Sequence, residues 1–544
     1  MRAAREAREP APPAEGEESL ISGPVLEEWE IRELLRLLYL GHTIEERYLR
    51  GVAECIADRV LESERLRRKF VKGDWDSKVD FVRSDGEAYS EALAVMVEWL
   101  RETGVEFIAL PVGVNDYKHY YTVNSCLHEG ADAKLLRLAG QLFGPCRRGR
   151  ISTARSLLLQ LSDVRTWEEL NPGGHIALAD EKILDVSSLR VRDRVAGKFF
   201  TVKAGVALDQ GDLDMLRSWL GKYSWEEGED LIFNIAPNYA KAYLNVFHTQ
   251  ELRAQAREML GSILFEGVLR KAWIVVGDPG IGKSVVADAL KWALGDLATS
   301  ISLERLFGRE NRLVTGELAG KYANITSESP AQMLRNVEFF KQITGDEVLY
   351  GEVKYRRPFR FRNRCKLITF ANELPLFSHM DDAVLERLYV IESYGRPPER
   401  PDPSLRLRIR ERELKYVLMH VLWCYKELEE REFRLEHAPS KEYVSQLIVR
   451  TASTISDFVE ECCEIGEYFR EAGKVLYETY LRYCREHGIT KPLGRNTFYA
   501  QLSYMGFKKY VREGIVYFKG LRLRRGEEGS LEAQLYEASR YLES

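Results

Sequence analysis

Apolar residues three and four positions apart dominate the first stretch of patterned sequence. "VLEEWEIRELLRLLYL" and "VAECIADRVLESERLRRKF" place them on one face of a helix, so residues 26 to about 100 are expected to be helical. "VEFIALPVGV" and "HYYTVNSC" read as strands, which makes this part mixed. At Gly173-Gly174 the pattern changes. "HIALADEKILDV" is two short apolar runs joined at Asp180-Glu181, and "KFFTVKAGVAL" predicts another strand, together a small β module. Helical spacing returns in "LDMLRSWLGKY" and "RAQAREMLGSILFEG". From about 272 to 395 short apolar runs alternate with helical stretches, as in a parallel α/β domain. "ELKYVLMHVLWCYKELEEREFRLEHA" is helical again. From 452, "TISDFVEECCEIG", "KVLYETYLRYCREHG" and "GRNTFYAQLSYMG" read as three helices, the last from Arg495 to Met505. "FKKYVREGIVYFKG" then alternates about Glu513-Gly514 and predicts a β-hairpin. There is no internal repeat.

Composition narrows this picture only in places. A chain of 544 residues is expected to hold about three or four domains. The net charge of −5 excludes a uniformly basic nucleic-acid coat, so any contact with DNA must be local. Eight cysteines form no CxxC pair, and no nearby His completes a zinc pattern around Cys462-Cys463. Reduced thiols and a location in the host cell cytoplasm are expected. No apolar run approaches the roughly 20 residues of a membrane span. The tail at 1–25 lacks the apolar core of a signal peptide and is expected to be disordered. The C-terminal tail, 527–544, reads as a polar, loosely held helix.

The chemistry starts at "VVGDPGIGKSVVADAL". Ile274-Val275-Val276 is β-branched and reads as a buried strand, and helical spacing begins at Val285. Between them Gly277-Asp278-Pro279-Gly280-Ile281-Gly282-Lys283-Ser284 fits the P-loop pattern in its required strand–loop–helix context. Glycines let backbone amides curl around phosphate oxygens, and the helix N-terminus adds a positive field. Lys283 is expected to reach the β/γ-phosphates of ATP, and Ser284 to ligate Mg²⁺.

Several downstream pieces can be coupled to such a loop. "YANITSES" predicts a strand, Tyr322 to Thr326, ahead of Glu328. At the end of a strand neighbouring the P-loop, a carboxylate can polarise the attacking water or hold Mg²⁺ through water. It can equally be a solvated glutamate. "CKLITFANELP" ends a second strand at Asn372, whose amide can orient water and sense the γ-phosphate, although Asn is also a common turn residue. "YGEVKYRRPF" has the form of a hairpin tipped by Lys354, Tyr355, Arg356 and Arg357. A basic tip with one aromatic suits single-stranded nucleic acid, and a solvated basic turn has the same composition. "DDAVLERLYVIES" puts Arg387 at the start of a strand, where a guanidinium can reach a neighbouring subunit's γ-phosphate.

Taken in order, "GDPGIGKS … LFGRENRLVTGELAGKYANITSES … FFKQITGDEVLYGEVKYRRPF … CKLITFANELP … VLERLYVIES" resembles the motor core of the superfamily 3 helicases, closest to the phage, plasmid and nucleocytoplasmic-virus primase-helicases. The resemblance covers about 120 residues. It implies a multidomain α/β chain with an AAA+ core that assembles into a ring, usually a hexamer, with ATP sites between subunits. It also implies movement 3′ to 5′ on one strand, and forked and single-stranded DNA as partners. By the same resemblance Glu328 is the Walker B acid, Lys354 and Tyr355 the pore-hairpin residues, Asn372 the sensor and Arg387 the arginine finger. One departure is that Ser327 stands where many members carry a second acid. "HIALADEKILDVSSLRVRDRVAGKFFTVKAGVALD" resembles the small module that precedes the motor in this family. About 150 ordered residues lie before that module, and Asp74-Trp75-Asp76 lacks the partners of a primase site. A separate primase or polymerase is therefore an expected partner, with a bifunctional primase-helicase and a non-unwinding AAA+ origin-binding regulator as alternatives.

Three helices followed by a hairpin is the winged-helix arrangement, whose third helix enters the major groove. From Lys491 to Arg525 the charges are almost all positive, including Arg495, Lys508, Lys509 and Arg512, which are expected to contact DNA; a role in subunit contacts would use the same module. The expected division is a 1–25 tail, an N-terminal helical/mixed domain at 26–172, a β module and helical linker at 173–250, and the motor at 251–400. A helical linker at 401–451, a winged helix at 452–526 and the 527–544 tail complete it.

Overall fold

The computed structural model describes residues 27–113, 116–122, 124–144, 150–166, 169–307, 314–327, 333–334, 336–352, 358–377, 381–489 and 492–524. Both expected tails lie outside the described residues. The chain divides into two compact units, Met1–Val123 with His128–Arg165, and Asn124–Leu127 with Thr166–Ser544.

The first unit is a set of helices with a small sheet. Five helices come first, α1 (Glu28–Leu40), α2 (Glu46–Val60), α3 (Glu64–Lys72), α4 (Lys78–Ser84) and α5 (Gly86–Glu102). Strands β1 (Glu106–Gly113), β2 (Asp116–Thr122) and β3 (His128–Glu129) follow, then α6 (Ala131–Phe143), α7 (Arg150–Leu161) and β4 (Asp163–Val164). The sheet order is β3-β2-β1-β4. The predicted helical periodicity is realised: Leu35, Ile56 and Leu93 are fully buried in one apolar core, which Leu135 of the unexpected helix α6 joins. Asp85 starts α5 by accepting from the backbone N–H groups of Glu87 and Ala88, which satisfies two donors that a helix start leaves open.

The second unit opens with a three-stranded antiparallel sheet, β5 (His175–Ala177), β6 (Ile183–Asp185) and β7 (Arg190–Arg192). The turn between β5 and β6 lies at Asp180-Glu181 as expected, with Glu181 at φ 67°. The predicted strand in "KFFTVKAGVAL" does not form. Phe199, Phe200 and Lys203 make single bridges to three different segments, Leu170, Cys126 and Ala177, so no continuous ladder develops.

Helices α8 (Gln210–Trp219), α9 (Trp225–Ile235), α10 (Pro237–Val246) and α11 (Gln250–Ile263) lead into the main sheet. Its elements are β8 (Ala272–Gly277), α12 (Lys283–Leu294), β9 (Ala298–Thr299), α13 (Leu303–Leu306) and β10 (Ala323–Ser327). Next come β11 (Met333–Leu334), α14 (Val337–Ile343), β12 (Val348–Gly351), β13 (Phe359–Arg362), β14 (Lys366–Ala371), β15 (Leu376–Phe377), α15 (Asp382–Leu385) and β16 (Leu388–Ser393). Five of these strands form a parallel sheet in the order β16-β8-β14-β10-β9. β8 and β14 are buried at every position because apolar cores cover both faces.

Two helices close over this core, α16 (Leu405–Arg412) and α17 (Leu414–Glu430). Where α9, α11 and α17 meet, Arg257 bonds Glu427 at 2.7 Å and Glu229 at 3.3 Å, and His420 bonds Glu229 at 3.0 Å. Burial pushes the Glu229 carboxyl up. The His420 hydrogen bond and the His420, Arg257 and Arg253 charges more than reverse this, leaving it below the usual range.

The C-terminal part runs α18 (Lys441–Cys462), β17 (Cys463–Ala472), α19 (Gly473–Glu486), α20 (Arg495–Tyr504), β18 (Lys508–Arg512) and β19 (Ile515–Leu523). This corrects the expectation for "TISDFVEECCEIG". The helix stops at Cys462, and Cys463-Glu464-Ile465-Gly466 belongs to a strand that pairs with β19. Helical spacing up to Cys462 does not reveal that the next residues find an open edge of β19. α18 also spans the expected boundary at 451/452: Val444 is buried in an apolar core on one face of the five-stranded sheet, and Ile455 and Phe458 in the core of the C-terminal part. The predicted hairpin turn stands, with Glu513 at φ 51° and Gly514 at φ 79°.

Candidate functional site

The loop between β8 and α12 is fixed by its neighbours. Gly277 lies so close to β16 that a Cβ there would stand 1.7 Å from the Ser393 carbonyl oxygen. Gly282, at φ 104°, takes the left-handed turn that starts α12. From α10, Asn245 donates through Nδ2 to the Ile281 carbonyl at 2.7 Å and holds the loop from the side. The open N–H groups at the start of α12 therefore face the same loop as the glycines, the arrangement that receives phosphate.

Lys283, the first residue of α12, is only 8% exposed. Its ammonium reaches back along the loop, 2.8 Å from the Gly277 carbonyl, 2.7 Å from the Asp278 carbonyl and 2.9 Å from Asn372 Oδ1. Asn372 follows the end of β14, and β14 lies directly beside β8. This corrects one expectation. The strand that precedes Glu328, β10, does not neighbour the P-loop strand; β14 lies between them. Parallel strands need crossovers, so order in sequence does not set order in the sheet. Glu328 itself lies outside the described residues, as do Lys354, Tyr355 and Arg356.

Ser284 is half-buried, and its hydroxyl faces a residue that sequence reasoning missed. Arg406, near the start of α16, donates from Nη2 to Ser284 Oγ at 2.8 Å and pairs through Nη1 with Asp288 at 2.9 Å. The only sequence signal was the basic run Arg406, Arg408, Arg410, Arg412 after a proline-rich stretch. Asp402 and Ser404 fix the start of that helix by bonding Arg408, and the Arg408 hydrogen bond, then Ser404, hold the Asp402 carboxyl down at about 2. Among the described residues no group of three or more His, Cys, Asp or Glu is placed to hold a metal ion. Ser284 Oγ stands at the edge of the loop, a hard oxygen of the kind that Mg²⁺ takes as a ligand.

Arg387 immediately precedes β16. Its backbone carbonyl accepts from Ala272, its Nη1 donates to the Ala383 carbonyl at 2.8 Å, and its buried Nε has no hydrogen-bond partner among the described residues. Among the described residues the guanidinium is thus anchored at one nitrogen, at the end of the sheet opposite to the Gly277–Ser284 loop.

β12 and β13 pair antiparallel with Tyr350 opposite Arg360 and Val348 opposite Arg362. Leu349 and Phe361 turn into the core, while Val348, Tyr350, Arg360 and Arg362 share the outer face. Arg360 lies over the Tyr350 ring at 5.1 Å, and Tyr350 is 57% exposed. In the C-terminal part Arg495 opens α20, and Lys508, Lys509 and Arg512 are exposed on β18. Lys509 lies over the Tyr499 ring at 5.5 Å, and Arg512 pairs with Glu513 at 3.3 Å. No described helix is long and apolar enough to cross a membrane.

Residues 275–387 match a family of unknown function, DUF5906, and residues 450–519 match the poxvirus D5 protein-like family. No curated protein matches the chain. Among solved structures, the apo C-terminal region of NrS-1 is 14% identical, with 78% of this chain and 98% of that one covered at a TM-score of 0.40. The JCV helicase bound to a small molecule is 16% identical, with 46% and 78% covered at a TM-score of 0.21.

Proposed function

We propose that the protein is an ATP-driven DNA helicase of the superfamily 3 type, from a virus, plasmid or integrated mobile element. The observation that carries this reading is Lys283, held between the loop carbonyls and Asn372 at the end of the adjacent strand. This contact sets a cation that would meet the β/γ-phosphates beside a polar amide on the neighbouring strand, so both groups converge on the place where a γ-phosphate would sit. The match of residues 450–519 to the poxvirus D5 protein-like family supports the viral branch of the resemblance.

In this reading the loop amides and Lys283 bind the phosphates, and Ser284 Oγ with Glu328 holds Mg²⁺. When bound there, Mg²⁺ would supply positive charge against the phosphates. Glu328 takes the proton of the attacking water, Asn372 orients that water, and Arg387 of one subunit completes its neighbour's site in a ring, taken to be a hexamer. Lys354, Tyr355 and Arg356, between β12 and β13, grip one strand, and the C-terminal winged helix contacts duplex DNA through Arg495, Lys508, Lys509 and Arg512. Movement is 3′ to 5′, and a separate primase supplies primers. The test is unwinding of a forked duplex by the purified protein with ATP and Mg²⁺, beside Lys283→Ala. Strand separation that needs ATP and Lys283 is the expected result. ATP hydrolysis without unwinding, and without stimulation by single-stranded DNA, would instead indicate an AAA+ regulator.

A further inference from the structure

One residue after Asn372, the motor touches the C-terminal part. Glu373 Oε1 accepts a hydrogen bond from the backbone N–H of Gly494 at 2.6 Å. Gly494 is the N-cap of α20 and has no side chain with which to cap it. The Glu373 carboxylate lies at the positive end of that helix dipole, a placement that favours an anion. Burial pushes its pKa up, against the opposing Gly494 bond, so the contact is made by a partly desolvated carboxyl. The approach leaves little room: a Cβ at Gly494 would stand 2.5 Å from Glu373 Oε1. The turn before Gly494 is pinned separately, since the Tyr477 hydroxyl donates to the Leu493 carbonyl at 3.0 Å and Leu493 N–H donates to the Tyr480 hydroxyl at 3.2 Å.

On its other side Glu373 is bonded through one peptide unit to Asn372, whose amide oxygen is 2.9 Å from the P-loop lysine. The start of α20 and the nucleotide loop are therefore joined by two consecutive residues. α18 supplies the second connection, because its first half packs in the motor's core and its second half in that of the C-terminal part.

We infer that Glu373 is an internal latch: its contact with the start of α20 and the seating of α20 on duplex DNA are competing states, so that DNA engagement frees the loop that carries Asn372. The inference rests on the ATPase and DNA-binding readings above. Residues at the start of a recognition helix are the ones that approach the bases and backbone of the groove, and Glu373 places a negative charge at that start. A phosphate backbone arriving there is repelled until the carboxylate leaves.

The test uses the full chain and a fluorescent duplex of about two helical turns, with wild type, Glu373→Ala, Gly494→Ala and the double variant Lys508→Glu/Lys509→Glu. Gly494→Ala displaces the carboxylate from the other side of the contact while leaving its charge intact. Both latch variants are expected to bind duplex about five- to tenfold more tightly, the scale of one competing charge-assisted hydrogen bond after water has replaced it. In both, ATP turnover should lose the response to duplex that the wild type has. Wild-type affinity in both latch variants, with weakened binding by Lys508→Glu/Lys509→Glu, would overturn the latch and leave the DNA-binding reading standing. Wild-type affinity in all three variants would overturn both.

Discussion

The amide oxygen of Asn372 accepts a hydrogen bond from the Lys283 ammonium at 2.9 Å, joining residues 89 positions apart in the chain. The contact exists because β14 lies beside β8 and ends level with the phosphate loop. Its consequence is that the two residues should fail differently. Lys283→Ala removes the cation that meets phosphate and should lose both ATP binding and turnover. Asn372→Ala keeps that cation and should bind ATP within a few-fold of wild type, while turnover falls by about 10²-fold, the usual scale for one oriented polar group. Nucleotide binding by fluorescence beside single-turnover hydrolysis separates the two.

Arg406 stands at the same loop from the other side, with its guanidinium shared between Ser284 Oγ and Asp288. If the loop binds ATP as proposed, a cation beside Ser284 helps to hold the phosphates. Arg406→Ala should therefore raise KM for ATP about tenfold, the worth of one charge-assisted hydrogen bond in a partly exposed setting, with kcat within a few-fold. An unchanged KM would make Arg406 only an anchor between α16 and α12.

Among the described residues the Arg387 guanidinium is anchored through Nη1 alone. If it acts on a neighbour's nucleotide, Arg387→Ala should retain ATP binding and lose hydrolysis by about 10³-fold or more. Mixing it with equally inactive Lys283→Ala should restore part of the activity, because mixed rings contain some intact sites. Mixed rings that form and stay inactive would exclude action between subunits.

The β12–β13 stem offers a base-stacking ring and a phosphate-seeking cation on one exposed face, Tyr350 against Arg360. Tyr350→Ala with Arg360→Ala, like Lys354→Ala with Tyr355→Ala, should weaken single-stranded DNA binding by about 1–3 kcal/mol for each lost stacking contact. Stimulation of ATPase by DNA and unwinding should fall together, and ATP turnover without DNA should persist. Anisotropy with a labelled oligonucleotide, read beside ATPase, checks this. Normal unwinding by the Lys354→Ala/Tyr355→Ala variant would show that the strand is held elsewhere.

Lys366, at the start of β14, is buried and donates to the carbonyls of Phe265, Gly267 and Arg364. Burial lowers its pKa from 10.5 to about 8. Between those values the folded chain binds fewer protons than the unfolded one, so stability rises with pH across the window. The penalty relieved is at most about 3.5 kcal/mol at ~1.4 kcal/mol per pKa unit. Urea midpoints of wild type and Lys366→Met at pH 7 and 9.5 should converge or cross as the pH rises. A constant gap would mean that Lys366 stays charged throughout.

Local chemistry made much of this chain legible. The Gly277–Ser284 loop, the strands on either side of 353–357, the helix from Arg495 and the turn at Glu513-Gly514 are encoded by residues close in sequence: glycines where φ is positive, β-branched runs where both faces are covered, alternation where one is. Tertiary structure alone decided what depends on partners far along the chain. β14, rather than β10, came to lie beside the P-loop strand because crossover connections separate spatial from sequential order. Cys463–Ala472 became a strand because β19, about 60 residues later, had an edge to pair with. "KFFTVKAGVAL" failed to become one because its bridging partners belong to three segments rather than one ladder. Arg406 at Ser284 and Glu373 at Gly494 are unreadable from sequence for the same reason. Neither residue type nor local spacing says which surface a distant side chain will meet; only the packing of α16 on α12, and of α18 across two cores, brings them there.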